Sequence, residues 1–337
     1  MAIPYEVKLL IAIYVILWTR ADPVMCQTYE SSVAAKHEQW MSQYGRSYAD
    51  EAEKEKRFKI FMENFEYIEK FNNAENKSYK LGLNQFSDLT EQEFMASYTG
   101  LKIPTTPSTV ITTLNLSNVP TSLDWREQGA VTAVKDQSPC GACWAFSVVA
   151  AVEGIVQIKT KNLMSLSEQQ LVDCVSGKEG CWGGFMNDAF NYIIRNKGIC
   201  TETDYPFQHV KGTCNKDKEA APAAQITGFQ KVPPNNEQQL LQAVAMQPVT
   251  VAIFIDKNFS AYKSGIYDGP CQPTSKHAVA IVGYGTSEDG ITKYWLIKNS
   301  WGGDWGEGGY MKLRREVPDQ PQGVCGVNKE AYYPTIN

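Results

Sequence analysis

The period of apolar positions changes along this chain, and each change marks an element. From Glu53 to Asn72 a Glu/Lys-rich stretch repeats Glu53, Arg57, Phe61, Asn64, Ile68 and Asn72 at three- and four-residue spacing. Residues so spaced share one face of a helix. In "LGLNQFSDLTEQEF" the residues Gly82, Asn84, Phe86 and Asp88 recur with period two, which predicts a strand; Thr90 then stands as an N-cap three residues before Glu93, the pattern of a capping box. "CWAFSVVAAVEGIVQIKT", from Cys143, reads as an apolar helix. "LSEQQLVDCV" starts a second with Ser167 as N-cap and Gln170 completing a capping box, and "GFMNDAFNYIIRNKG" is a third closed by Gly198. Beyond Ile226 the pattern turns to short β-rich runs, "VTVAIFI", "HAVAIVGYG", "KYWLIKNSW" and "GGYMKLRR", separated by Gly and Asp turns. Helices first and strands later predict an α+β architecture of two layers or lobes, with a cleft between them as the natural place for a site.

Two stretches stand outside this pattern. "MAIPYEVKLLIAIYVILWTRADP" has Lys8, an apolar core from Leu9 to Trp18 and a small-residue site around Ala21. That core is too short to span a bilayer, which takes about 20 residues, so residues 1–21 read as a secretory signal peptide. No later segment approaches spanning length. "KIPTTPSTVITTLNLSN", residues 102–118, is a Pro/Thr/Ser linker of the kind proteases cut, and it proposes a boundary near Val119. The segment 22–118 before the boundary holds 10 basic and 14 acidic residues; residues 119–337 form the body.

Charge narrows the function. With 32 basic and 37 acidic residues, net charge -5, no basic stripe recommends nucleic acid as a partner. Secretion implies an oxidising compartment, and nine cysteines there leave at least one thiol unpaired. All but Cys26 lie at or after Cys140.

The thiol pair in "SPCGACWAF" admits three chemistries. A redox pair normally ends a strand in a βαβ unit, and no such unit precedes Cys140. Zinc needs four ligands, and a second close Cys or His pair is missing. The remaining reading makes one thiol a staple and the other a nucleophile. Cys143 opens a helix, where unsatisfied N–H groups and the macrodipole favour a thiolate, so a depressed pKa is expected. Of the three histidines, His37 lies in the acidic segment, His209 follows a turn, and His277 opens an apolar strand, which makes it the candidate base. Asn299, at the end of the next apolar strand, is placed to orient the imidazole without adding charge. The Cys143 N–H and the Gln137 amide are candidate oxyanion donors.

At this point the chain resembles the papain family of cysteine protease precursors. "DQSPCGACWAFS", "LSEQQLVDC", "SKHAVAIVGYG" and "YWLIKNSWGGDWGEGGY" match its motifs, and the spaced helix residues together with Gly82, Asn84, Phe86 and Asp88 resemble its two inhibitory prosegment motifs. The resemblance covers essentially everything after the signal. It implies a papain-like two-lobe fold, a helical left lobe and an antiparallel β-barrel-like right lobe with the cleft between, preceded by a mainly helical inhibitory prodomain. It further implies Cys143 as nucleophile, His277 as base and acid, Asn299 as orienting amide, Gln137 as oxyanion donor and Trp301 as a shield over the His–Asn contact. By the same resemblance the disulfides are Cys140–Cys181, Cys174–Cys214 and Cys271–Cys325, so Cys140 is the staple, while Cys200 and Cys26 are left over.

Trp182, Gly183, Gly184, Phe185, Met186, Ala252, Ser275, Ala278 and Glu330 match substrate-binding positions of the family. Trp182 stands where plant relatives often carry Asn. Glu330 stands where a small or apolar residue is common, so the pocket for P2, the second residue on the acyl side of the cleaved bond, is expected to take bulky apolar and also basic side chains. Lys276 replaces a frequent Asp or Asn, and its charge is expected to lower the His277 pKa. Asn76, Asn115 and Asn258 head N-x-Ser glycosylation sequons. The expected molecule is a monomeric zymogen of the vacuole, lysosome or extracellular space that cleaves proteins and peptides through a thioester. It needs no metal or organic cofactor, is restrained by its own prosegment and is open to cystatin-type inhibitors. Competing readings are a catalytically silent storage or binding homologue and a precursor acting mainly as an inhibitor through its prosegment.

Overall fold

A computed structural model describes residues 23–104, 113–175, 180–273 and 275–337, with side chains from Tyr29 onward. The expected signal peptide, part of the linker and the Cys26 side chain lie outside the described residues. The chain divides into two compact units, residues 1–66 and 67–337.

The first unit holds helix α1 (Pro23–Gln43) and the beginning of α2 (Glu51–Asn73). Its core is aromatic: His37, Trp40 and Phe61 are buried, with the His37 ring 4.9 Å from Phe61 and 5.8 Å from Trp40. Glu38–Lys54 ties the two helices, and Glu53–Arg57, one turn apart along α2, is the pair its spacing predicts.

The second unit begins with the end of α2, where Asn72 donates to and accepts from the Leu81 backbone. It continues through β1 (Tyr79–Leu81), α3 (Glu91–Tyr98), β2 (Leu123–Asp124), α4 (Cys143–Thr160), α5 (Glu168–Cys174), α6 (Met186–Arg195), α7 (Lys216–Glu219), β3 (Gly228–Lys231), α8 (Glu237–Met246), β4 (Val249–Phe254), α9 (Lys257–Ser260), β5 (Tyr262–Tyr267), β6 (Lys276–Thr286), β7 (Lys293–Lys298), β8 (Tyr310–Arg314) and β9 (Ala331–Thr335). The sheet runs β1-β5-β8-β7-β6-β4-β9-β3, with β2 on β6; only β5–β8 is parallel. One core, built on Trp295, Ile297, Trp301 and Trp305, fills the strand-rich side, and another surrounds α4. Contrary to the sequence expectation that no later segment approaches spanning length, helix α4 is long and apolar enough to cross a bilayer, but 72% of it is buried inside the fold, as a core helix should be.

Several local expectations change in the structure. Gly82 to Asp88 form turns, not a strand: Asn84 takes the Phe86 N–H on its side chain and Ser87 Oγ accepts the Asn84 N–H, so side chains supply what a ladder would. The Thr90–Glu93 capping box forms in both directions. At Ser167 only half of one does; the hydroxyl accepts from the Gln170 N–H, but the Gln170 side chain turns inward to Tyr192 and the Cys200 N–H. Helix α6 stops at Arg195, and Lys197 at φ 58° takes the left-handed turn ahead of Gly198. Three disulfides staple the unit, Cys140–Cys181, Cys174–Cys214 and Cys271–Cys325, and Cys143 and Cys200 are free thiols.

Candidate active site

Helix α4 begins at Cys143 with Ala142 as N-cap and no side-chain cap; the Ala145 N–H turns back to the Ala142 carbonyl at 2.8 Å, which leaves the Cys143 and Trp144 N–H groups outside the helix ladder. The turn before it is clamped by the Cys140–Cys181 bridge, by the Gly141 N–H on the Cys181 carbonyl at 2.8 Å, and by the Trp144 indole on the Gly180 carbonyl at 3.1 Å. Gln137 lies on the lead-in. Its N–H donates to the Ser300 carbonyl, Ser300 Oγ donates to its side-chain oxygen at 2.6 Å, and its Nε2 donates to the Cys140 carbonyl at 2.8 Å and the Tyr98 carbonyl at 3.3 Å.

His277 sits near the start of β6, fully buried. Its Nε2 lies 2.8 Å from Asn299 Oδ1, and the Ser300 N–H donates to the same oxygen. An amide oxygen can only accept, so the imidazole carries its proton on Nε2 and leaves the Nδ1 lone pair, which has no hydrogen-bond partner among the described residues, available. Trp301 stacks on the ring at 4.5 Å and 27°. Cys143 and Ala278, the residue after His277, are buried in one apolar cluster, which brings the thiol and this histidine to the same part of the fold.

Burial reverses the charge state expected at the helix start. Cys143 is fully enclosed, and this pushes its thiol up to about 11, with hydrogen bonding from the Ala278, Gly100, Trp144 and Cys143 backbone opposing. Burial lowers His277 to about 4 against the opposing Asn299 contact, so enclosure and not the Lys276 charge is the cause. Both partners are held neutral.

What encloses them is the chain's own segment 84–103. Phe86 and Phe94 meet Trp301 edge-on at 5.6 and 5.1 Å, and Gln85 donates to the Trp301 carbonyl. Tyr98 delivers its carbonyl to Gln137. The next residues pair with the cleft wall: the Gly184 N–H donates to Gly100 O and the Lys102 N–H to Gly184 O, both at 2.9 Å. This approach requires glycine. Gly183 has φ 112° and a Cβ there would strike the Gly100 carbonyl, while one on Gly184 would sit 2.5 Å from the Trp144 ring. Leu101 is buried in an apolar cluster with Met186, Ala252, Ala278 and Tyr332.

Residues 119–335 match the profile of the papain family cysteine protease, and residues 37–94 that of the cathepsin propeptide inhibitor domain (I29). The chain belongs to the papain family of cysteine proteases. It is 44% identical to ananain of Ananas comosus over 95% of this chain and 93% of that protein, and 46% identical to the senescence-specific cysteine protease SAG12 of Arabidopsis thaliana over 89% and 90%. Among solved structures it resembles the recombinant stem bromelain precursor (TM-score 0.85, 46% identity, 91% of this chain and 99% of that one). It also resembles the proform of the ragweed pollen allergen cysteine protease Amb a 11 (TM-score 0.83, 38%, 91% and 95%).

The protein is therefore the zymogen of a papain-like cysteine endopeptidase acting on protein and peptide substrates, with its own prosegment as intramolecular inhibitor. A silent storage or binding homologue is not favoured. Its three disulfides and its family assign it to the secretory pathway.

Gly183, Gly184 and Phe185 lead into helix α6 at Met186, and Met186, Ala252 and Ala278 belong to the cluster around Leu101. Ser275 accepts from the Ile255 N–H through its carbonyl. Trp182 stands 80% exposed beside the glycines. The Glu330 carboxylate is not free: Lys231 reaches both its oxygens at 2.8 Å and the Tyr332 hydroxyl donates to one at 2.8 Å. The charge on which a basic P2 side chain would draw is already paired. Of the sequons, Asn76 and Asn115 are exposed, but Asn258 is buried, its amide spanning the hydroxyls of Tyr67 and Tyr79. Among the described residues, the one group close enough to hold a cation is Cys174, Cys214 and Glu219, and its two sulfurs are joined to each other.

Tyr98, Leu101, Ser300 and Lys231 were not singled out from sequence. Nor was the buried network in which Lys135 binds Glu153 and Glu168 at 3.0 and 2.8 Å beneath the site. A lysine and two glutamates inside or beside apolar helix patterns were the available signal.

Proposed function

We propose that Cys143 is the nucleophile, His277 the base and acid, Asn299 the orienting amide and Gln137 with the Cys143 N–H the oxyanion donors of peptide-bond hydrolysis. The observation that carries this reading is the His277–Asn299 contact, which fixes the ring through Nε2 and leaves Nδ1 without a partner among the described residues. Nδ1 takes the thiol proton as sulfur adds to the substrate carbonyl carbon. The carbonyl oxygen becomes an oxyanion, held by Gln137 Nε2–H where the Tyr98 carbonyl now lies. As the intermediate collapses, the C–N bond breaks and the imidazolium gives its proton to the departing amine, leaving a thioester. Water, losing a proton to Nδ1, then adds to the thioester, and the thiol leaves with that proton while the acid product is released.

The body from about Val119 is the mature enzyme, and cleavage in the linker that ends at residue 118 releases it. Leu101, buried where the acyl-side residue of a substrate would enter, supports a bulky apolar P2. The neutral, enclosed His277 supports activation in an acidic compartment, the vacuole or lysosome rather than the extracellular space. The enzyme acts as a monomer, and cystatin-type inhibitors that plug the cleft would compete with substrate. The test is site mapping: iodoacetamide should inactivate the processed enzyme in proportion to carboxamidomethylation of Cys143, with Cys200 unmodified. Full activity with Cys143 fully alkylated would refute the assignment.

A further inference from the structure

Lys231 and Glu330 lie 99 residues apart in sequence and meet at the end of β3, where Lys231 is opposite Tyr332 of β9 and Glu330 stands one residue ahead of that strand. The Glu330 carbonyl accepts the Ala252 N–H at 2.8 Å, which roots its side chain beside the cluster that holds Leu101. From there the carboxylate meets the Lys231 ammonium with both oxygens, and the Tyr332 hydroxyl closes the third side. The lysine also lies 5.6 Å over the Tyr332 ring. The two charged side chains are 13% and 16% exposed, so solvent screens the pair far less than one on the open surface.

We propose that Lys231 is a specificity-determining residue: by occupying Glu330 it closes the Leu101 pocket to basic P2 side chains and leaves it to apolar ones. This deepens the peptidase reading and rests on it. A guanidinium entering the pocket would find a carboxylate already neutralised and an ammonium directly behind it. An apolar side chain draws on neither charge. Without the ammonium, Glu330 keeps only the tyrosine hydroxyl and presents an unpaired carboxylate to the substrate. Lys231 acts through Glu330 and is a positioning residue, not a catalytic one. The relation is reciprocal, since removing the Glu330 charge leaves the ammonium free to favour an acidic P2.

The test is steady-state hydrolysis, near neutral pH, of matched peptides with Leu, Arg or Glu at P2 by enzyme matured from the full precursor. Lys231→Met should raise kcat/KM for P2-Arg relative to P2-Leu by about tenfold or more, chiefly through KM, and Lys231→Arg should restore the wild-type ratio. Glu330→Gln, which keeps the shape of the pocket, should raise P2-Glu relative to P2-Leu. An unchanged Arg/Leu ratio in active Lys231→Met enzyme overturns the assignment of Lys231 alone. Should that variant fail to mature, the Glu330→Gln arm decides, and an unchanged Glu/Leu ratio overturns it equally. Absence of P2-Leu hydrolysis by the wild type, or its persistence in Cys143→Ala, defeats the peptidase reading itself and this inference with it.

Discussion

Truncating Phe94 should open the active site of the intact precursor. The ring is 2% exposed and packs edge-on against Phe86 at 5.0 Å and Trp301 at 5.1 Å, with Tyr98 stacked at 5.4 Å. Phe→Ala at such a site costs about 3–5 kcal/mol. This loss falls on the contact between the inhibitory segment and the tryptophan above His277. Taking the lower figure at about 1.4 kcal/mol per tenfold, the population with the cleft uncovered should rise roughly 100-fold. The assay is carboxamidomethylation of Cys143, followed by mass spectrometry during the interval in which the precursor is still uncleaved. Cys143 is fully buried, so in this regime its labelling rate follows the uncovered population. Cys200, also buried, reports opening of the whole fold. Phe94→Ala should accelerate Cys143 labelling by about two orders of magnitude with Cys200 unchanged, and Gln92→Ala, at an exposed position of the same helix, should do nothing measurable. Wild-type labelling of Cys143 in Phe94→Ala would refute the reasoning; parallel acceleration at Cys200 would show that the ring supports the fold and not the seal.

Acid should loosen the seal through His277. Its buried pKa of about 4 lies below the ordinary 6.5, so the stabilisation it lends the covered state is complete above about pH 6.5 and is lost as pH falls toward 4, a loss of about 3 kcal/mol. In Cys143→Ala precursor, which cannot process itself, susceptibility of the prosegment to an added protease should rise through that window, and His277→Gln should flatten the rise; an unchanged profile in the double variant would contradict it. Asn299→Ala removes the oxygen that fixes the imidazole, and kcat/KM should drop about 10- to 100-fold with KM little changed, read by steady-state kinetics. The Asn258 amide is buried and engaged by Tyr67 and Tyr79, so precursor made in a glycosylating host should carry no glycan there; glycopeptide mapping that finds Asn258 occupied in latent precursor would contradict the assigned packing.

Elements with an unbroken period were legible in sequence. Helix α4 and strands β4, β6, β7 and β8 occupy the runs whose apolar positions predicted them, because burial is nearly continuous along the first four and alternates with period two along β8. Strand β5 was missed: "YKSGIY" carries a Lys, a Ser and a positive-φ Gly265, and its pairing to β1 and β8 supplies what its own residues do not. Strand β9 was hidden by Pro334, tolerated beside β3 near the sheet edge. The period-two alternation of Gly82 to Asp88 misled because it reflects turn chemistry and docking, not pleating. Chemistry followed the same division. The cysteine, histidine and amide were read as residue types at motif positions, but the protonation state was not legible, since a helix start favours a thiolate only while water reaches it and here Cys143 is fully buried. The counter-ion of Glu330 was invisible, because a partner 99 residues away is set by strand register alone.

The central claim is that Cys143 hydrolyses peptides once the prosegment leaves the cleft. It is tested most directly by incubating purified precursor at about pH 4–5, where prosegment carboxylates begin to lose charge, with mild reductant, beside Cys143→Ala, and following mass and P2-Leu peptide cleavage together. The account predicts processing near Val119 and hydrolysis in the wild type, and neither in Cys143→Ala. Wild-type protein that stays inert after another protease has removed its prosegment would contradict it.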